Sequence, residues 1–115
     1  MEAMTLKEAW DEYKNFYMAY RNFAERTREE YLNDLKDFVD FLRRLGINHV
    51  KELGIPIVER YVAHLEQNGY ASLTRKRKVV ALRSYLSFLH QEGYIRINML
   101  GEFHQITHCI EGHIG

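Results

Sequence analysis

The 115-residue chain has one cysteine, one proline and seven glycines, and each scarcity removes a class of protein. A lone Cys109 builds neither a disulfide framework nor, by itself, a zinc finger. With so few prolines and glycines there are few obligatory breaks, and no alternating strand pattern competes with the helical ones. No apolar run approaches the roughly 18–20 residues of a membrane span, and the N-terminus has no charged-then-apolar leader. The expectation is therefore a cytoplasmic protein with no membrane partner. Nor is there an excess of either charge: 16 basic residues balance 16 acidic ones, which at face value speaks against a polyanionic partner. What is present is ordinary for a globular fold, with 46% hydrophobic and 28% charged residues in a length that suits one domain.

The neutral total conceals an uneven distribution. Residues 1–66 hold 10 basic and 13 acidic side chains, whereas residues 67–115 hold 6 basic and 3 acidic. Four of the latter six are consecutive: Arg75, Lys76, Arg77 and Lys78. Such asymmetry is more informative than the sum.

Apolar spacing predicts four helices. In the first, Leu6, Ala9, Trp10, Tyr13, Phe16, Tyr17, Tyr20 and Phe23 fall on one stripe of a regular helix, with Thr5 and Glu8 as a capping box. The second is expected to start at Thr27, with Glu30 three positions on. It carries Tyr31, Leu32, Leu35, Phe38, Val39, Leu42 and Leu45, places Arg43 and Arg44 in its last turn, and stops at Gly46. A short helical turn is expected around Val50 to Leu53. Pro56 suits the first turn of the third helix, whose buried face is Ile57, Val58, Tyr61, Val62 and Leu65 and whose end is Asn68-Gly69. Ser72 or Thr74 is expected to cap the fourth, with Val79, Leu82, Tyr85, Leu86 and Leu89 inward and Gly93 at its close. Phe103, Ile106 and Ile110 give at best a short fifth helix. The fold class is all-α, two short-linked helical hairpins around an aromatic-rich core.

The basic run opens the fourth helix. At about 100° per residue, four consecutive side chains fan around most of its circumference and cannot share one solvated face. They also sit where unpaired N–H groups and the helix dipole already present positive potential. A polyanion would relieve that conflict, since phosphate is favoured at a helix N-terminus and pairs with Arg and Lys. Arg83, on the same side as Lys76, with Ser84 and Ser87 nearby, extends a basic and polar strip suited to a groove of duplex DNA. A solvated charge run that only aids solubility is the plainer alternative.

From the second helix onward the sequence resembles the N-terminal core-binding domain of tyrosine recombinases (phage integrases), which has a SAM-like fold. The family pattern Thr-x-x-x-Tyr-x-x-x-Leu-x-x-Phe is filled by Thr27, Tyr31, Leu35 and Phe38. The later Ala-Leu-Arg-Ser-aromatic-x-x-Phe-Leu signature is filled by Ala81, Leu82, Arg83, Ser84, Tyr85, Phe88 and Leu89, followed by Gly93, Tyr94, Ile95 and Asn98. Arg77 falls where the family usually has an arginine before that signature. The resemblance spans about residues 5–99 and implies a four- to five-helix SAM-like bundle of two crossed hairpins. It implies a DNA-binding module that grips the recombination site through helices two and four. By position, the contacts would come from Thr27 and Arg28, and from Ser72, Thr74, Arg75, Lys76, Arg77, Lys78 and Arg83. An arginine as late as Arg83 can instead hold neighbouring helices together.

Two departures carry expectations of their own. Met99 stands where the family has a proline after Asn98, so the exit from helix four can differ. The family's catalytic arginines, lysine, histidines and nucleophilic tyrosine have no counterpart after Leu100, and most of the eight tyrosines sit on apolar stripes. The chain is thus expected not to be an enzyme on its own, to need no cofactor, and to be monomeric. Its partners would be double-stranded DNA and the catalytic domain of a parent recombinase. The domain is placed at residues 1–99, with 100–115 as a linker or foreign tail. In that tail His104, His108, Cys109 and His113 have spacing compatible with Zn²⁺, but the linker reading is preferred and no metal site is assigned. The competing function is a non-catalytic helical protein-interaction or regulatory module derived from a recombinase.

Overall fold

The computed structural model describes residues 4–95. Within them lie four helices, called α1 to α4. The first, α1, runs through three segments: Leu6–Glu12, a π-helical turn at Tyr13–Tyr17, and Met18–Tyr20. Its start is the expected capping box. The Thr5 hydroxyl accepts the Glu8 N–H at 3.1 Å while the Glu8 carboxylate accepts the Thr5 N–H at 3.1 Å, satisfying two end donors at once. The hydrogen bond from the Thr5 backbone, then that from its hydroxyl, hold the Glu8 carboxyl below its ordinary value.

The π turn corrects the sequence reading of this helix. One extra residue in a turn rotates everything downstream back by about 100°. Met18, off the stripe of a regular helix, turns inward and is fully buried, while Phe16 and Tyr20, on that stripe, stand 71% and 80% exposed. Tyr13 and Tyr17 both remain inside, stacked at 5.4 Å.

Asn22, in the left-handed region at φ 55°, reverses the chain. Its N–H bonds the Ala19 carbonyl and that of Phe23 bonds the Met18 carbonyl, a Schellman closure with asparagine in the usual glycine place. This tight turn lets α2 (Glu25–Arg44) begin earlier than expected. Ala24 is its N-cap, with no side-chain cap bond, and the Arg28 N–H already bonds the Ala24 carbonyl at 2.9 Å. Thr27 is therefore inside the first turn and not the cap. At the other end Gly46, with φ +79°, makes the stop read from the sequence.

A 3₁₀ turn, Val50–Glu52, then returns to the N-terminus, where the Val50 N–H bonds the Met4 carbonyl and the Leu6 N–H bonds that of Asn48. Helix α3 (Ile55–Gln67) has Pro56 in its first turn, and α4 (Ser72–Gln91) follows. Neither Ser72 nor Thr74 caps α4: Ala71 does, without a side-chain bond, because helical geometry starts at Ser72 itself and puts the cap one residue ahead of the first hydroxyl.

Helix α4 forms the centre. Val79, Ala81, Leu82, Tyr85, Leu86, Phe88 and Leu89 are all buried, and it packs on α2, on α3 and on the π turn of α1. Two aromatic clusters flank it. In one, Tyr13 meets Tyr85 edge-on at 5.2 Å and Phe88 at 5.6 Å. In the other, Tyr61 meets Phe38 at 4.9 Å and Phe41 at 5.3 Å. Edge-to-face pairs of this kind contribute about 0.5–1.5 kcal/mol each beyond the area they bury. The fold is an all-α, SAM-like bundle, as expected. The fifth helix and the histidine-bearing tail fall outside the described residues.

Candidate nucleic-acid interface

The basic residues gather along the seam between α2 and α4. Asp34 sits on the inward stripe of α2, one turn after Tyr31 and one before Phe38, and is only 2% exposed. A buried carboxylate needs partners, and α4 supplies two. Arg77 donates to it twice, Nε to Oδ2 at 2.8 Å and Nη2 to Oδ1 at 3.0 Å. Lys78 donates to the same carboxylate at 3.3 Å and also to Asp37, while its ammonium lies 5.2 Å from the centre of the Tyr70 ring.

These pairs correct the electrostatic argument drawn from the sequence. Three of the four cations at the start of α4 have acidic partners within the protein, Arg77 and Lys78 on Asp34 and Arg75 near Glu66, so the dipole conflict there is relieved without an outside anion. Lys78, at 6% side-chain exposure, is an internal tie and not an accessible contact. Burial alone would lower its ammonium, but the hydrogen bonds and charges of Asp37 and Asp34 outweigh that and hold it above the ordinary lysine value. Arg77 is raised as well, first by its hydrogen bonds to Asp34 and then by that charge.

The other expected site residues have distinct settings. Ser72 is exposed and Thr74 half-buried. Arg75 donates to the Ser72 hydroxyl at 3.3 Å and stands 3.8 Å from the Glu66 carboxylate of α3. Lys76 is exposed and has no partner among the described residues. Thr27 and Arg28 are half-buried in the opening turns of α2, and the Arg28 Nε is enclosed without a hydrogen-bond acceptor. Arg83 is half-buried and already engaged. It borders a groove with Arg21, Tyr31, Val80, Ser84 and Ser87, where Ser84 is hydrogen bonded to the Tyr13 hydroxyl at 2.9 Å.

These contacts set the course of the helices. Asp34 and Asp37 meet the start of α4, whereas the earlier Tyr31 lies beside the later Arg83, so α2 and α4 run antiparallel. Arg75 and Arg83 are about 12 Å apart along α4, close to the width of a major groove. Ser72 and Arg75 come together, as do Arg77 and Lys78 through Asp34. Thr27 and Arg28 belong to the opposite end of the seam from the α4 start.

Sequence reasoning missed Asp34, Asp37, Glu66 and Arg21. Asp34 had a signal: it is the one charge set at i+3 from Tyr31 and i−4 from Phe38 on an apolar stripe. Arg21, whose guanidinium lies 5.9 Å from the Tyr17 ring centre, had none. Leu73, between Ser72 and Thr74, is 78% exposed, and nothing in the helical spacing sets it apart.

Among the described residues there is no group of three or more His, Cys, Asp or Glu side chains that could hold a metal ion, and no helix long and apolar enough to cross a membrane. The geometry defines a helical module with a charged seam between α2 and α4. Its family follows from comparison: residues 10–93 match the phage integrase N-terminal SAM-like domain, and the chain belongs to that family. It is 30% identical over 94 residues to tyrosine recombinase XerC of Oceanobacillus iheyensis, covering 82% of this chain and 31% of that protein. It is 36% identical over 78 residues to tyrosine recombinase XerC of Listeria innocua, covering 68% and 26%. Against tyrosine recombinase XerD of Agrobacterium fabrum the figures are 33% over 75 residues, covering 65% and 22%. The chain thus spans a third or less of the length of these curated relatives. No solved structure matches.

Proposed function

We propose that the chain is the DNA-binding module of a site-specific tyrosine recombinase or integrase, gripping duplex DNA at the recombination site through α2 and α4. It acts in the cytoplasm, as a monomer when isolated, and leaves strand cleavage to the catalytic domain of a parent protein. The observation that carries this reading is the basic start of α4, where Lys76 and Arg77 are exposed and Arg75 stands half-buried beside them, in a chain of the integrase family. Ser72, Thr74, Thr27, Arg28 and Arg83 complete the contact set, and Leu73 offers an apolar contact suited to a thymine methyl. Lys78 supports the set from inside. Affinity is modest, because a module without its companion loses effective concentration as well as contacts.

The test is duplex binding across a salt series. Each phosphate neutralised contributes a slope of about −0.9 in log K against log salt. Replacing Arg75 and Lys76 by alanine should weaken binding to every sequence and flatten the slope by about two such units. No salt-sensitive binding even at about 50 mM salt would sink the proposal.

A second reading, a helical protein-interaction module, is favoured by one observation: the outward Phe16 and Tyr20 rings on α1. It predicts self-association or a protein partner with weak or absent DNA binding, and sedimentation with and without duplex separates the two.

A further inference from the structure

The way Asp34 holds Arg77 leaves part of the guanidinium for other work. A guanidinium has five N–H donors in a rigid plane, and Asp34 takes Nε–H and one Nη2–H. The opposite end, with both Nη1 protons and the second Nη2 proton, has no acceptor among the described residues on a side chain that is 48% exposed. The carboxylate that fixes this plane is itself buried, so the free end of the fork has a set direction.

Charge sorts what such a fork can recognise. Arg77, Lys78, Asp34 and Asp37 form one hydrogen-bonded group of two cations and two anions, which sums to no net charge. A balanced arginine adds little to the attraction of phosphates, which depends on net charge and counterion release. Its donor geometry is untouched, and two parallel N–H donors in a fixed plane match the O6 and N7 acceptors of a guanine edge. Arg75 and Lys76, two and one positions earlier, lack such a bidentate clamp, Arg75 having only the Glu66 carboxylate at 3.8 Å, and suit phosphate.

We infer that Arg77 is a specificity-determining residue that reads a guanine in the major groove, and that Asp34 is the positioning residue that aims it. This rests on the reading of the chain as a duplex-DNA module. It divides the labour along α4: Arg75 and Lys76 supply affinity, and Arg77 supplies choice.

The experiment enriches preferred duplexes from a random library with the wild-type chain, then compares that site with the same site lacking its guanine for wild type, Arg77→Lys and Asp34→Asn. Wild type should favour the guanine site by about tenfold or more, the range of a good bidentate contact. Both variants should lose this preference. Arg77→Lys keeps the charge of the site and weakens binding to random duplex by no more than about twofold. Asp34→Asn removes one negative charge and should bind random duplex more tightly with a steeper salt slope, a pattern that a merely structural role for Asp34 would not give. Arg77→Lys keeps the charge and the ion pair, so it decides the matter alone if Asp34→Asn does not fold. Retained guanine preference in Arg77→Lys overturns the inference, as does uniform weakening on all duplexes with a flatter slope, which would make Arg77 a phosphate contact. Salt-sensitive wild-type binding with no base preference overturns the inference but leaves the DNA-module reading standing. No duplex binding by wild type at any salt overturns both.

Discussion

Replacing Asp34 by alanine tests the seam most directly. The substitution removes a carboxylate at the meeting point of three hydrogen bonds and leaves Lys78 in a site where water scarcely reaches. Removing one partner from a fully buried ion pair costs about 3–5 kcal/mol. Two features reduce that figure here. Lys78 keeps Asp37, itself 46% exposed, and the half-exposed Arg77 can turn to solvent. The expected loss is about 2–3 kcal/mol, which for a domain of this size lowers Tm by about 10–20 °C. Lys78→Met supplies the contrast, because Asp34 keeps both bonds from Arg77 and the apolar side chain fills the same volume. It should cost no more than about 1 kcal/mol. Urea unfolding followed by circular dichroism measures both variants, with the slope m unchanged if only native contacts are lost. A loss below about 1 kcal/mol for Asp34→Ala, or a larger loss for Lys78→Met than for Asp34→Ala, would refute the reasoning.

Three further outcomes are expected. Burial raises the phenols of Tyr13, Tyr61 and Tyr85, and burial followed by the hydrogen bond to Glu12 pushes Tyr94 up to about 12. The unfolded chain loses these protons near pH 10 while the folded one keeps them. Stability should therefore be full below about pH 10 and fall as pH rises beyond it, reinforced by the raised Lys78. Ultraviolet titration should show these phenols ionising together with loss of helix, and all eight tyrosines titrating near pH 10 in an intact fold would contradict it. Phe16→Lys and Tyr20→Lys should each change stability by no more than about 0.5 kcal/mol, whereas Phe88→Ala should cost about 3–5 kcal/mol. Comparable losses at all three positions would mean that the helix is regular through Tyr17. Gly46→Ala, at φ +79° with no atom within 4 Å of the added methyl, should cost about 1 kcal/mol from backbone conformation alone; a denaturant melt showing no loss would place that residue outside the left-handed region.

The features legible from sequence were those written in neighbouring residues. Thr5 with Glu8, Pro56, Gly46 and Gly93 each act within one turn, and each does what its chemistry requires. The first helix was misread because a period of 3.6 assumes one kind of turn throughout, and nothing in the spacing of Tyr13 to Tyr17 announces an inserted residue. Thr27, Ser72 and Thr74 suit the cap place because hydroxyls prefer it, yet Ala24 and Ala71 hold it without side-chain bonds. At the candidate site the basic run was visible, but its neutralisation was not. Asp34 stands 43 positions from Arg77, and only the packing of α2 on α4 brings them together. A charge lying on an otherwise apolar stripe was the available hint that a partner would arrive from elsewhere.

Helix α4 is fastened by different physics at its two parts: rings grip it around Tyr85 and Phe88, and four charges grip it around Arg77 and Lys78. Ring packing tolerates small rotations, whereas an ion pair is lost with a shift of an ångström or two. Lys78 lies about 10 Å along the helix from Tyr85, so a pivot of about 10° there would carry it about 2 Å. A displacement of that size exceeds what the ion pairs tolerate, so the aim of the helix's basic end is fixed by charge as much as by packing. Asp34 and Lys78 are themselves buried, which makes the orientation of the basic end and the stability of the bundle depend on the same four side chains.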